Sequence, residues 1–450
     1  MDEQEDLERA ARHERGRERG ETDNATAFSL AKTILGAGGF AMPRAFDRAG
    51  SVGAALTIIF CASLSSLTMR DLIQAKRGYE LMGSHDHTDS VTYVDLAHHC
   101  FGRKGALTVY ALTLLCCLGV CGAYLVFIAS TLQSVLAPDM ISDRLLLAAV
   151  TLLVLPTTFS REFRLLSLLA QWGVVAVMCG YIVTLGYGVW HRPYVWGETS
   201  VLLIGSPRGF LTVFGSISFL FCVHFLVFPL HSASAAPAFI SYLNALTHHS
   251  PTVTCYHRLP RIFSHPLSVA RPTGFDRVQT KVFIACGVAN ALFGGGGLLL
   301  FGPGVPSIVI NAVRSGGVLL VTKLCLCVDL ACSYPLILKS ASEIVEKSLL
   351  PHRTVHVPSA LGLRVTLVAI TYMIAQLDDF GVIISLVGGF SQCILAFVLP
   401  PLMSLELSRR GHGPHSAART RTNVSVAVLG IIIALVTTAT TIDELVGGET

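Results

Sequence analysis

The chain has 450 residues, of which 52% are hydrophobic and only 14% charged, and its mean hydropathy is +0.61. That balance excludes a water-soluble domain and marks a membrane protein. The formal net charge of +4 decides nothing by itself, because in such a chain the placement of basic residues matters more than their sum; no nucleic-acid partner is expected.

The chain opens with MDEQEDLERAARHERGRERG, a polar stretch without the apolar core of a signal peptide. Residues 1–23 are therefore expected to be a disordered cytosolic tail. A membrane-crossing helix needs about 20 apolar residues, and eleven segments meet that measure: 25–46, 51–73, 107–136, 145–160, 165–190, 209–230, 281–302, 316–338, 359–377, 380–403 and 423–442. With the N-terminus inside and strict alternation, 25 of the 33 Lys and Arg residues fall on the inner side and 6 on the outer, with Lys32 and Lys323 within spans. Cytoplasmic loops hold such an excess, so the bias supports eleven crossings with the N-terminus in the cytosol. The segments after the second and sixth spans are long; the one after the sixth is rich in Ser, Pro and His and is read as mostly irregular, with its first part continuing the sixth helix for a few turns. The 13 cysteines show no metal or disulfide spacing, and Cys116, Cys117, Cys121, Cys325, Cys327 and Cys332 sit in apolar runs, where cysteine is a small hydrophobe.

The first span contains KTILGAGGFAMPRAF. Gly36, Gly38 and Gly39 each weaken a helix by about 1 kcal/mol against alanine. Backbone freed at that depth survives only where protein or a watery cavity surrounds it, so a break there implies a site; the alternative is a small-residue face for close helix packing. The sixth span, RGFLTVFGSISFLFCVHFLVFPL, is interrupted in turn by Gly215, His224 and Pro229. Corresponding interruptions in two halves of five helices point to a midplane substrate site between inverted repeats, where half-helix N-termini face anionic groups.

These residues carry a family resemblance. TAFSLAKTILGAGGFAMPRAFDRAG resembles the first helix of the amino acid/auxin permease family, within the amino acid–polyamine–organocation superfamily. FGSISFLFCVHFLVFPL is similar to its sixth helix, FGGGGLLLFGPGVPSIVINAV to the end of its seventh, and DDFGVIISLVGGFSQCILAFVLPPLMSLEL to its tenth. The resemblance covers roughly residues 24–442, with the loop after the sixth helix expanded. It implies an all-α polytopic protein of the LeuT-like fold, with five-plus-five inverted repeats at 24–190 and 209–407, a cytosolic loop at 231–279, and an eleventh helix with a short C-terminus at 422–450. It also implies transport of amino acids, small or neutral ones, coupled to a proton or sodium gradient, with no other cofactor. By that carry-over the substrate meets Leu35, Gly36, Ala37, Gly38 and Gly39 of the first helix and Ser218, Phe219 and Phe221 of the sixth.

Ionisable groups inside a membrane are functional candidates by default. Where sodium-coupled members commonly place an asparagine, this sequence has Lys32: either its ammonium replaces the sodium, or it snorkels to the inner surface. The family's hydroxyl ligand on the eighth helix has Ala331 and Ser333 as its nearest candidates. Asp329 is a proton carrier or a structural partner for Lys32. His224 is a titrating group or a hydrogen-bonded core histidine. The loop histidines, His85, His87, His98, His99, His248, His249 and His257, lack zinc-site spacing. With no P-loop, catalytic triad or zincin motif, neither an enzyme nor an ATP-driven pump is expected. The expectation is a secondary active transporter in the plasma, vacuolar or lysosomal membrane, with a transporter-like sensor signalling through its cytosolic loops as the alternative; no partner protein is identified.

Overall fold

The computed structural model describes residues 27–82, 91–136, 142–159, 172–191, 205–226, 228, 273–313, 316–349, 357–377, 379–411 and 416–447. The described residues form twelve helices: α1 (27–34), α2 (Met42–Ala49), α3 (Ser51–Leu81), α4 (Tyr93–Val135), α5 (Asp143–Val154), α6 (Gly173–His191), α7 (Pro207–Phe221), α8 (Thr273–Phe301), α9 (Gly317–Leu349), α10 (Val357–Ala375), α11 (Phe380–Arg409) and α12 (Ala417–Gly447). Eight are long and apolar enough to cross a membrane. Over the described residues, each of the eleven predicted spans coincides with a helical segment, the first of them divided between α1 and α2. The predicted tail at 1–23, most of the loop at 231–279 and the His85, His87, His248, His249 and His257 positions lie outside the described residues.

Local chemistry sets several ends. Thr92 and Asp95 form a reciprocal capping box at the start of α4. Ser206 accepts from the Gly209 amide ahead of Pro207, which opens α7. Asp379 accepts from the amides of Gly381 at 2.6 Å and Val382 at 3.2 Å to start α11. The segment after the second span is helical for much of its length, because α3 runs on to Leu81 and α4 begins at Tyr93, well before the apolar run. Gly102, with φ 66°, bends that polar arm away from the membrane-crossing part of α4.

α4 and α11 form the centre of the bundle, with 72% and 78% of their apolar windows buried against 67% or less in the other long helices. They approach closely because α4 presents Gly119 to Val387 of α11 and Gly122 to Ile374 and Thr371 of α10. Around them, α2 packs on α7 and α8, α9 on α4 and α6, and α12 on α7 and α11. The connection between α8 and α9 turns inward: Val309 and Ile310 are wholly buried. Lys323 of α9, also wholly buried, donates from Nζ to the Val313 carbonyl at 2.9 Å and to Ser134 Oγ at 3.0 Å, which pins that connection to α4.

Candidate functional site

The first span breaks where its glycines stand. α1 ends at residue 34, Gly36 is extended (φ −106°, ψ −170°), and a 3-10 turn over Ala37–Ala41 leads into α2. Because extended backbone precedes the turn, the N–H groups of Ala37 and Gly38 have no earlier carbonyl of their own helix to meet. Nothing lies within 4 Å of where a Gly36 side chain would begin. The other two glycines answer to crowding. A Cβ on Gly38 would sit 2.9 Å from Leu220 and 3.0 Å from Phe219, both in α7. One on Gly39 would overlap the Tyr181 hydroxyl and crowd Asn290 Oδ1. That hydroxyl donates to Asn290 Oδ1 at 2.9 Å, and Asn290 in turn donates to the Cys286 carbonyl. Phe40 completes the wall, edge-on to Phe127, Tyr181 and Phe293.

The sixth span breaks too, seven residues later than its glycine. α7 is regular through Gly215 and ends at Phe221; Cys222 (φ −87°, ψ 63°) leaves the helix, and a short 3-10 turn covers His224–Leu226. Gly215 serves close approach instead, since a side chain there would strike the Ser385 carbonyl of α11. Pro229 lies outside the described residues. α3 runs beside this break and supplies a polar group on successive turns. Cys61 Sγ lies 3.6 Å from Ser218 Oγ, Ser65 Oγ 3.9 Å from Cys222 Sγ, and Thr68 Oγ1 2.9 Å from His224 Nε2. His224 is buried, and its Nδ1 has no hydrogen-bond partner among the described residues.

Leu35–Gly39 and Ser218–Phe221 thus meet through Gly38, Phe219 and Leu220. Phe219 also borders Gly388 of α11, whereas the ring of Phe221 turns to Phe283 of α8, 6.0 Å away and tilted. Lys32, half-buried on α1, and Asp329 of α9 lie within electrostatic reach of each other. Asp329 rests against Gly173 of α6, and its Oδ1 is buried with no hydrogen-bond partner among the described residues. Ser333 is half-buried one turn further along α9. His224 does not join the Lys32–Asp329 pair; its bond is to α3.

Toward the Arg44 end, α2, α7, α11 and α12 enclose a small cavity of about 30 Å³ lined by Arg44, Arg48, Ser216, Asp379, Ser385 and Glu444 among others. Two ion pairs tie its walls: Arg44–Asp379 at 3.4 Å and Arg48–Glu444 at 2.9 Å. Thr212 Oγ1 donates to the other oxygen of Glu444 at 2.8 Å, and the hydroxyls of Ser216 and Ser385 lie 2.5 Å apart. Sequence reading missed these carboxylates, which sit at span ends where charges are ordinary. It also missed the Cys61, Ser65, Thr68 stripe, although the four-then-three spacing puts the three on one helix face.

Two interrupted helices meeting inside a helical bundle define a membrane transporter of the LeuT-like fold. The match to "Inward facing conformation of Mhp1" has a TM-score of 0.60 at 13% identity, covering 92% of this chain and 90% of that one. A variant of the Eremococcus coleocola manganese transporter gives 0.51 at 15% identity, over 94% and 87%. The chain belongs to the transmembrane amino acid transporter protein family, whose model matches residues 21–257 and 254–443. Among its relatives, amino acid transporter AVT3A of Arabidopsis thaliana is 26% identical over 92% of this chain and 87% of that protein. Vacuolar amino acid transporter 3 of Saccharomyces cerevisiae is 23% identical over 92% of this chain and 55% of its own length. The family is one of transporters, not enzymes.

Proposed function

We propose that this protein is a secondary active transporter of small or neutral amino acids that works by alternating access. The observation that carries the reading is the meeting of two helix breaks, Gly38 against Phe219 and Leu220, in a chain of an amino acid transporter family. Main-chain groups of Leu35–Gly39 and Ser218–Phe221 clasp the α-carboxylate and ammonium, because a backbone lifted out of its helix offers both donors and acceptors at fixed positions. The bundle holding α1, α2 and α7 rocks against the remaining helices to open the site on either side in turn. The excess of basic residues on one set of loops supports a cytosolic N-terminus, so the Arg48–Glu444 end faces the exterior or the lumen. The likeness to vacuolar amino acid transporter 3 of Saccharomyces cerevisiae favours an internal membrane.

Coupling is to protons. The Lys32 ammonium takes the place of a sodium ion, and its neighbour Asp329, one of whose carboxylate oxygens has no hydrogen bond among the described residues, is the proton carrier. Ser333 is the remaining hydroxyl of a site that no longer needs a metal, and His224 answers movement of α7 against α3 through Thr68. For any of these to couple, its free energy must differ between the two bundle orientations.

The test is uptake of radiolabelled amino acids into proteoliposomes under an imposed pH gradient, with sodium replaced by choline. Accumulation that needs the pH gradient and survives the loss of sodium supports the proposal. Strong sodium dependence overturns the coupling, and binding without accumulation turns the reading toward a sensor.

A further inference from the structure

α11 leaves the α-helical register twice, in π-helical turns over Val387–Gln392 and Ile394–Val398. Such turns are rare and concentrate at functional sites. The first one is pressed against the broken sixth span. A side chain on Gly388 would run into the Gly215 carbonyl and crowd the Phe219 amide. Cys393, the residue that follows, is buried beside Cys222 and Cys61. α11 is therefore a wall of the region where the two breaks meet.

Gln392 closes the first π turn and is 4% exposed. Its Nε2 lies 3.4 Å from Cys116 Sγ of α4, and its Oε1 has no hydrogen-bond partner among the described residues. A thiol is a weak partner, and turning the amide end for end leaves the opposite end unbonded. A buried amide held at one end only is costly and calls for an explanation.

We propose that Gln392 is a specificity-determining residue of the transport site, whose free amide end hydrogen-bonds the side-chain hydroxyl or amide of a polar neutral amino acid. The inference rests on the transport reading above and adds the substrate class to it. In that reading the carboxylate and ammonium of the substrate are matched by main-chain groups of α1–α2 and α7, which leaves the α11 wall for the side chain. A hydroxyl donates to Oε1 or accepts from Nε2, so either orientation of the amide serves. An aliphatic side chain of the same volume leaves the amide unpaired and is rejected.

Threonine and valine are the isosteric pair for the test, in proteoliposomes of the purified full-length protein. The wild type is expected to take up threonine about tenfold faster than valine at equal concentration. Gln392→Met, which keeps the length and removes the amide, is expected to bring the two rates within about twofold while valine uptake persists. Valine uptake reports folding in the same vesicles, and Gln392→Ala is read in the same way if the methionine variant fails to assemble. A wild type without threonine preference, or variants that keep the ratio unchanged, overturns the role of Gln392 and leaves the transport reading standing. Wild-type vesicles that accumulate no amino acid overturn the transport reading itself.

Discussion

The Arg48–Glu444 contact gives a quantitative prediction about alternating access. Glu444 of α12 holds α2 through Arg48 at 2.9 Å and α7 through Thr212 at 2.8 Å, so it fastens both helices that follow or precede the breaks. The two side chains of the ion pair retain 28% and 21% of their exposure. A charge-assisted bond in that setting falls between an exposed pair and a buried one, about 1 kcal/mol. The Thr212 bond adds about 1 kcal/mol. Glu444→Gln keeps the acceptor for Thr212 and loses the charge, and should shift the equilibrium toward the opened end about fivefold; Glu444→Ala loses both and should shift it about thirtyfold. The assay is the rate at which a cysteine placed at Ser216, on the cavity wall, reacts with a thiol reagent in detergent. The exposed Cys179 and Cys325, together with Cys255, are first replaced by serine. In the Glu444→Gln background, Arg48→Gln should add little, since the shared contact is already gone. Labelling rates of both Glu444 variants within twofold of the parent would refute the latch.

Three further outcomes follow from the packing. Gly39→Ala should destabilise the protein by about 1–3 kcal/mol and abolish uptake, because its methyl overlaps the Tyr181 hydroxyl, whereas Gly36→Ala, facing open space, should stay within about 0.5 kcal/mol; thermal unfolding in detergent separates them. Lys32→Met and Asp329→Asn should each cost about 1–3 kcal/mol, less than a fully buried pair because both sites are half-buried; the double variant should regain stability in the same unfolding assay without regaining pH-driven uptake. Thr68→Val removes the partner of His224 Nε2 and should lower stability by about 1–3 kcal/mol, read as a shift in the unfolding midpoint.

How much was legible in the sequence depends on whether a property is local. Crossing a membrane requires about 20 consecutive apolar residues with every backbone group paired inside the segment, so candidate spans could be read one by one, and eight of the eleven predicted coincide with helices long and apolar enough to cross. The break in the first span was equally legible, because Gly36, Gly38 and Gly39 weaken the helix where they stand. The sixth span was half legible: an interruption was expected, but Gly215 proved to be an approach point for α11 and the chain leaves the helix at Cys222. Periodicity cannot tell a glycine that breaks a helix from one that lets a neighbour in, since the difference belongs to the neighbour.

Long-range pairing was decided by tertiary structure alone. Partnership with Lys32 is one of two sequence readings of Asp329, and only the packing brings the two within electrostatic reach; nothing near Glu444 names Arg48 or Thr212. Lys323, an unexplained charge in an apolar run, acquires its meaning only when the Val313 carbonyl and Ser134 close around it. Gln392 is one more polar residue in a span until packing leaves its amide half-bonded. Hydropathy and glycine placement act on the chain within a turn or two, and so they settled which segments enter the bilayer and where the first one opens. Which polar group faces which depends on how the helices settle against one another, and that is a property of the packed bundle.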